Sequence, residues 1–166
     1  MKKQRETVLI LHDIRSNHNV GSIFRTADAA GINKMFLSGY TPTPLDKYGR
    51  DVLEIAKTAL GAEKNVKWEK EKNIKKIIKN LKNKKFQIIA IEQAKNSVDY
   101  KKVSARGGPA YGQKKIAFIF GNEVTGIPKN ILSLCDVLAE IPMRGKKESL
   151  NVSVAAGISM FRILDI

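Results

Sequence analysis

Apolar residues recur along this chain in two alternating patterns. Short continuous runs at 8–12 (VLILH), 34–38 (KMFLS), 86–91 (FQIIAI) and 116–120 (IAFIF) predict strands buried on both faces. Between them the apolar positions take helical spacing. Ile23, Ala27 and Ala30 predict a helix over 20–30 with Gly31 past its end, and Leu53, Ala56 and Leu60 predict one over 50–60 closed by Gly61. A short strand is expected at 66–68. Residues 69–85 then form a lysine-rich helix with one apolar stripe, Ile74, Ile77, Ile78 and Leu81. Gly39 to Gly49, with Pro42 and Pro44, reads as a loop. Glu92 to Lys115, with Gly107-Gly108-Pro109, reads as a mobile polar connection. Pro128 is expected in the first turn of a short helix running to Leu134.

The chain from Val137 to Leu164 carries the last strand and helix. Val137, Leu138, Ala139 and Ile141 end an apolar strand, Pro142 turns it, and a basic loop from Met143 to Glu148 leads into a helix at Ser149-Leu150-Asn151. Ser149 or Asn151 can cap that helix by accepting its free N–H groups. The small residues Ala155, Ala156, Gly157 and Ser159 predict a helix buried on more than one side, against the sheet, a second subunit, or both. Apolar strands alternating with helices predict an α/β fold: a mainly parallel sheet with helices on both faces.

Composition narrows the function. The 166 residues, 43% of them hydrophobic, fit a single domain spanning 1–166, and no apolar run approaches the ~20 residues of a membrane span. Two lysines precede the first apolar run, but that run ends at His12-Asp13 without a small-residue cleavage site, which argues against a signal peptide. Thirty Lys and Arg against sixteen Asp and Glu give a formal charge of +14, favouring a polyanionic partner. The alternative is simple solvation of a lysine-rich chain. One cysteine, Cys135, and two histidines, His12 and His18, provide neither an intramolecular disulfide nor a convincing metal site. The expectation is a cytoplasmic protein without structural metal.

In an open parallel sheet, ligands bind beyond the carboxyl ends of the strands. Three loops leave such ends. In the first, Asn19-Val-Gly-Ser-Ile-Phe-Arg25-Thr-Ala27, Asn19 lies near a helix start and Arg25 follows; alone it reads as a cap and a surface arginine. In the second, Gly121-Asn122-Glu123 follows a strand directly, and a glycine there lets backbone approach a ligand; an ordinary glycine turn is as good a reading. The third is Ile141-Pro-Met-x-Gly-x-x-x-Ser149-Leu-Asn151-Val-Ser.

Together and in this order, the three resemble the motifs of the SpoU (TrmH-like) branch of the SPOUT RNA methyltransferases, from about residue 8 to the C-terminus. That resemblance implies a deep C-terminal trefoil knot, a homodimer, and S-adenosylmethionine-dependent methyl transfer to a ribose 2′-hydroxyl of tRNA or rRNA. It implies cofactor binding by Gly121, Ile141, Met143, Ser149 and Leu150, with Ile91 and Glu92 as further candidates. Arg25, Asn19, Glu123, Ser149 and Asn151 match the residues of catalysis or its support. Arg25 is expected to clamp the neighbouring phosphate and polarise the hydroxyl, because a guanidinium holds its proton too firmly to serve as a base. Asn19 and Asn151 would orient Arg25 and the ribose, and Glu123 would hold Arg25 or a loop. His12 and His18 lie near the first motif and either could be suggested as a base, but His12 ends a strand and His18 matches no family role, so neither is expected to be catalytic.

Longer relatives carry an additional RNA-binding domain, and here only the catalytic domain is expected. RNA capture then falls to basic surface: Lys146 and Lys147, the connection from Lys101-Lys102 to Arg106, or the lysine-rich helix. A catalytically idle RNA-binding module of the same fold is the rival reading, against which Arg25 and Asn151 both stand. Neither a triphosphate-binding Gly-x-x-x-x-Gly-Lys-Ser/Thr loop nor a dinucleotide Gly-x-Gly-x-x-Gly is present.

Overall fold

The computed structural model describes residues 5–103 and 108–166. Arg106 and Gly107, named above, and the two lysines before the first apolar run, Lys2 and Lys3, lie outside the described residues. Seven strands form one sheet: β1 (Glu6–His12), β2 (Lys34–Ser38), β3 (Lys67–Lys70), β4 (Gln87–Ile91), β5 (Val98–Asp99), β6 (Lys115–Phe120) and β7 (Val137–Glu140). All pairings are parallel, in the order β3-β2-β1-β6-β4-β7-β5. Among the described residues six α-helices accompany them: α1 (Asn17–Ala29), α2 (Leu53–Ala59), α3 (Ala62–Asn65), α4 (Ile74–Asn83), α5 (Lys129–Leu132) and α6 (Val152–Leu164), with a 3-10 turn at Tyr100–Lys102.

Strand alternation sends side chains to two cores. Leu9, Leu11, Met35, Leu37, Phe118 and Phe120 meet α1, α2, α3 and α6 on one face. Val8, Ile10, Ile88, Ala117 and Ile119 meet the apolar stripe of α4 and Ile131 of α5 on the other. The sheet is therefore covered on both sides, as its continuous apolar strands require. The close approach of α1 to α2 depends on Gly21, where a Cβ would come within 2.4 Å of the Ile55 carbonyl.

Several boundaries differ from the sequence reading. Trp68 to Lys70 continue β3 beside Met35 to Leu37, so α4 begins only at Ile74, where the Asn73 side chain accepts the Lys76 N–H. Long-range pairing overrides the helical propensity of the lysine-rich stretch. The helix expected over 50–60 begins only at Leu53; it closes as expected at Leu60, which is left-handed, and a separate turn, α3, follows Gly61. Pro128 stands at the N-cap of α5 rather than inside it. The polar connection after β4 holds β5, whose Val98 and Asp99 pair with Ala139 and Glu140. On α6, Val152, Ala156, Ser159, Met160, Ile163 and Leu164 are buried, but Val154 (48%), Ile158 (37%) and Phe161 (37%) remain exposed. Among the described residues, only one side of α6 is covered.

Candidate active site

The strand order brings the ends of β6, β4 and β7 side by side, and a cleft opens beyond them. Ile91 and Glu92 line it from the end of β4, Gly121 from the end of β6, and Ile141 and Met143 from the end of β7; Ser149 and Leu150 approach from the turn before α6. All seven residues matched to cofactor binding thus share one cleft. Ser149 and Leu150 are exposed at its mouth, and Ile141 and Met143 are partly buried.

Two of the seven also have structural tasks that the sequence did not suggest. A Cβ on Gly121 would stand 2.7 Å from the Gly126 carbonyl carbon and 2.6 Å from Ile127 Cγ1. Its missing side chain therefore first admits the chain's own returning loop, not a ligand. The Glu92 carboxylate accepts the Ile127 N–H at 2.8 Å and the Gln93 N–H at 3.0 Å, pinning that loop to the end of β4. Gly126 has φ +67, and a side chain there would meet this carboxylate.

Beside the cleft, the three motifs join in one hydrogen-bonded relay. Glu123 accepts the backbone N–H groups of Arg15 (3.0 Å) and Ser16 (3.2 Å) and the side-chain amide of Asn19 (3.0 Å). Asn19 Oδ1 in turn accepts from Asn151 Nδ2 at 3.1 Å. Asn151 Oδ1 caps α6 by accepting the Ser153 N–H at 2.9 Å and also takes the Ser153 hydroxyl at 2.6 Å. Each amide is oriented by its neighbour, so both asparagines are held in one sense. Partial burial raises the Glu123 carboxyl, but hydrogen bonds from Arg15 N–H, the Asn19 amide and Ser16 N–H outweigh it and hold the group below the usual carboxylate range. The charge also sits at the positive end of α1.

Asn19 is not the helix cap: Ser16 is, its hydroxyl oxygen accepting the Asn19 N–H. Asn19 lies one turn inside α1, which frees its side chain for the relay. Asn151 rather than Ser149 caps α6, and the Ser149 hydroxyl has no hydrogen-bond partner among the described residues. Glu123 does hold a loop, but it does not hold Arg25, nor do Asn19 and Asn151 orient that side chain. Arg25 is exposed on α1 and makes no hydrogen bond or ion pair among the described residues. Six residues of helix turn it by about 600°, roughly 120° away from the Asn19 face. Lys146 and Lys147 are exposed on the loop beside the cleft, with no ion pair among the described residues.

Asn122 carries a role that the sequence did not reveal. Buried, with only 7% of its surface exposed, it donates to the Asp13 carbonyl (2.9 Å) and the Tyr40 hydroxyl (2.6 Å), while its own oxygen accepts the Val124 and Thr125 N–H groups. The Asn-Glu pair after a strand was the available signal; its partners, 82 and 109 positions away, were not. His12 is buried, its Nδ1 2.9 Å from the Ser38 hydroxyl; burial lowers its pKa against the raising effect of Asp13, so it stays neutral near pH 7. Exposed His18 serves through its carbonyl, which accepts the Thr58 hydroxyl. Among the described residues no group of three or more His, Cys, Asp or Glu is placed to hold a metal ion, and no helix is long and apolar enough to cross a membrane.

Known proteins place this geometry. The chain is 33% identical over 168 residues to a putative TrmH family tRNA/rRNA methyltransferase of Staphylococcus aureus, covering 98% of this chain and 62% of that one. It thus spans about three fifths of the length of such relatives. The crystal structure of an rRNA methyltransferase from Sinorhizobium meliloti superposes with a TM-score of 0.81 at 30% identity, covering 98% of this chain and 57% of that one. The A. aeolicus TrmH/SpoU tRNA modifying enzyme gives 0.78 at 28% identity, over 98% and 75%. The SpoU rRNA Methylase family profile matches residues 6–161. With its parallel sheet, a cleft lined by the second and third motifs, and the first motif bonded to it through Glu123, the chain belongs to the SpoU rRNA Methylase family.

Proposed function

We propose that this protein is an S-adenosylmethionine-dependent RNA methyltransferase acting on a ribose 2′-hydroxyl of tRNA or rRNA. The observation that carries the reading is the Glu123–Asn19–Asn151 relay beside a cleft that gathers Ile91, Glu92, Gly121, Ile141, Met143, Ser149 and Leu150. An AdoMet-bound rRNA methyltransferase from Sinorhizobium meliloti, at 29% identity and a TM-score of 0.80, supports the choice of cofactor. The cleft suits it: Leu150, Met143 and Ile91 offer apolar contact, strand-end backbone at Gly121 and Ile141 offers hydrogen bonds to an adenine edge, and the Ser149 hydroxyl is uncommitted. When bound, the sulfonium supplies an electrophilic methyl group. What remains for the protein is alignment of the 2′-oxygen and removal of its proton.

Arg25, without a partner among the described residues, is available to clamp the phosphate beside the target ribose and polarise the hydroxyl, leaving a phosphate oxygen or water to take the proton. Asn19 and Asn151 then act on the ribose and on each other, and Glu123 fixes Asn19 directly and Asn151 through it. Lys146 and Lys147 add phosphate contacts at the mouth. The apolar row Val154, Ile158 and Phe161 on α6 supports a homodimer through that helix, and the segment after β7 is read as the knotted one. The unpaired Cys135 and the tRNA and rRNA targets support a cytoplasmic setting.

The test incubates the protein with methyl-labelled S-adenosylmethionine and, separately, unmodified tRNA and rRNA, followed by alkaline hydrolysis. A 2′-O-methyl group removes the nucleophile by which alkali cleaves RNA, so label is expected in alkali-resistant dinucleotides. Label confined to mononucleotides would overturn the ribose assignment, and absence of both transfer and cofactor binding would overturn the enzyme.

A further inference from the structure

The Gly39–Asp51 loop leaves the sheet at the end of β2, the same edge as the cleft, and displays two aromatic rings to solvent: Tyr40 is 59% exposed and Tyr48 69%. Neither ring is needed for the core. Lys47 Nζ lies 4.9 Å and Arg50 Cζ 5.0 Å from the centroid of Tyr48, so the ring carries two cations. The display is held firmly. Asp46 accepts the N–H groups of Tyr48 (2.8 Å) and Arg50 (3.0 Å) and pairs with the Arg50 guanidinium at 2.8 Å. Leu45 and Asp51 form an antiparallel bridge beneath them, and Lys70 Nζ donates to the carbonyls of Gly39 and Thr41 at the base. An exposed aromatic flanked by cations on a pre-ordered loop combines a stacking surface with phosphate attraction, the two elements of single-stranded nucleic-acid binding.

The loop also addresses the cleft. The Tyr40 hydroxyl accepts from Asn122, the residue directly after Gly121. Between β2 and β6 stands only β1, so the two loops leave the sheet about 10 Å apart.

We propose that Tyr48, with Lys47 and Arg50, is a stacking platform for an unpaired nucleotide that flanks the one methylated in the cleft. The proposal rests on the RNA methyltransferase reading and adds a site to it. The platform is sequence-tolerant, since every base has a face to stack, and it holds the single strand while Lys146 and Lys147 engage phosphate on the other side of the cleft.

The test measures fluorescence anisotropy of a labelled unmodified tRNA transcript and a labelled oligouridine, with light scattering and calorimetric S-adenosylmethionine titration on the same samples. Y48A is expected to weaken both RNAs about tenfold, Y48F to bind like the parent protein, and neither to alter cofactor affinity or assembly mass. RNA affinity unchanged in Y48A but reduced in K146A/K147A would overturn the platform and leave the enzyme reading intact. A changed assembly mass in Y48A would make the loop a subunit contact and also overturn it. If the parent protein binds neither RNA, the RNA reading fails, and the platform with it.

Discussion

Asn151 Nδ2 donates to Asn19 Oδ1 across 3.1 Å, although the two residues lie 132 positions apart in the chain. Each asparagine is committed on its other side, Asn19 to Glu123 and Asn151 to Ser153. The site is thus braced through three loops at once, and loss of one member should be felt by the other two.

Glu123→Ala should leave the Arg15 and Ser16 N–H groups and the Asn19 amide without their acceptor. The expected cost is about 1–3 kcal/mol in urea unfolding. Methyl transfer should fall along with it, because Asn19 loses the contact that orients its amide. A stable variant with parental activity would show that the relay is idle.

The same carboxylate sets a pH dependence. Its folded-state pKa lies below the ordinary value, so its stabilising contribution is fully present above the unfolded carboxylate pKa, near 4.3, and is lost as pH falls through the lower folded value. Unfolding measured across the acid range should show Glu123→Gln losing less stability than the parent on acidification. Parallel curves would contradict this.

Arg25→Ala should lower methyl transfer by about 100-fold or more. Cofactor affinity should stay unchanged, and stability should move by no more than about 0.5 kcal/mol, since the side chain is exposed and has no internal partner among the described residues. Full activity would remove Arg25 from the reaction.

Gly121→Val should act through the protein's own loop before any ligand is involved. The added side chain collides with Gly126 and Ile127, a strain of about 1–3 kcal/mol. Hydrogen exchange should rise across 121–127 even without cofactor. Parental protection there, with only cofactor affinity lost, would restore the simpler view of a blocked pocket.

Cys135 should resist alkylation by iodoacetamide at pH 8 in the folded protein. Burial, with Asp136 adding to it and Lys82 opposing, pushes its thiol up to about 12, and Sγ lies 3.4 Å from the Ile131 carbonyl. Rapid labelling without unfolding would show this corner to be open.

How much of this was legible in the sequence depended on range. The β1, β2, β4 and β6 strands are continuous apolar runs, and the α4 stripe repeats at helical spacing, so local pattern located them. The two-residue β5 could not be found, because Val98-Asp99 has no period of its own and exists as a strand only beside β7. Ser16, Asn17 and Asn19 are all residues that cap helices, so composition could not choose among them. The motifs identified the seven cleft residues by resemblance. That Gly121 makes room for Gly126 and that Glu92 holds Ile127 are three-dimensional facts with no local signature.

Sheet order carries a further consequence for how the chain reaches this state. The interior strand β1 pairs on one side with β2 but on the other with β6, Leu9 lying opposite Phe118. At roughly 5–20 residues per second, a ribosome needs about 5–20 s to synthesise the stretch that separates them. Throughout that interval the nascent chain presents an apolar strand with one unpaired edge, a surface that invites chaperones and mispairing alike. Nor can the end of β6, and hence Gly121 to Glu123, take its place beside the first motif until β6 docks there. Slow, long-range folding is therefore inherent in this topology, and the site is among the last parts of the molecule to form.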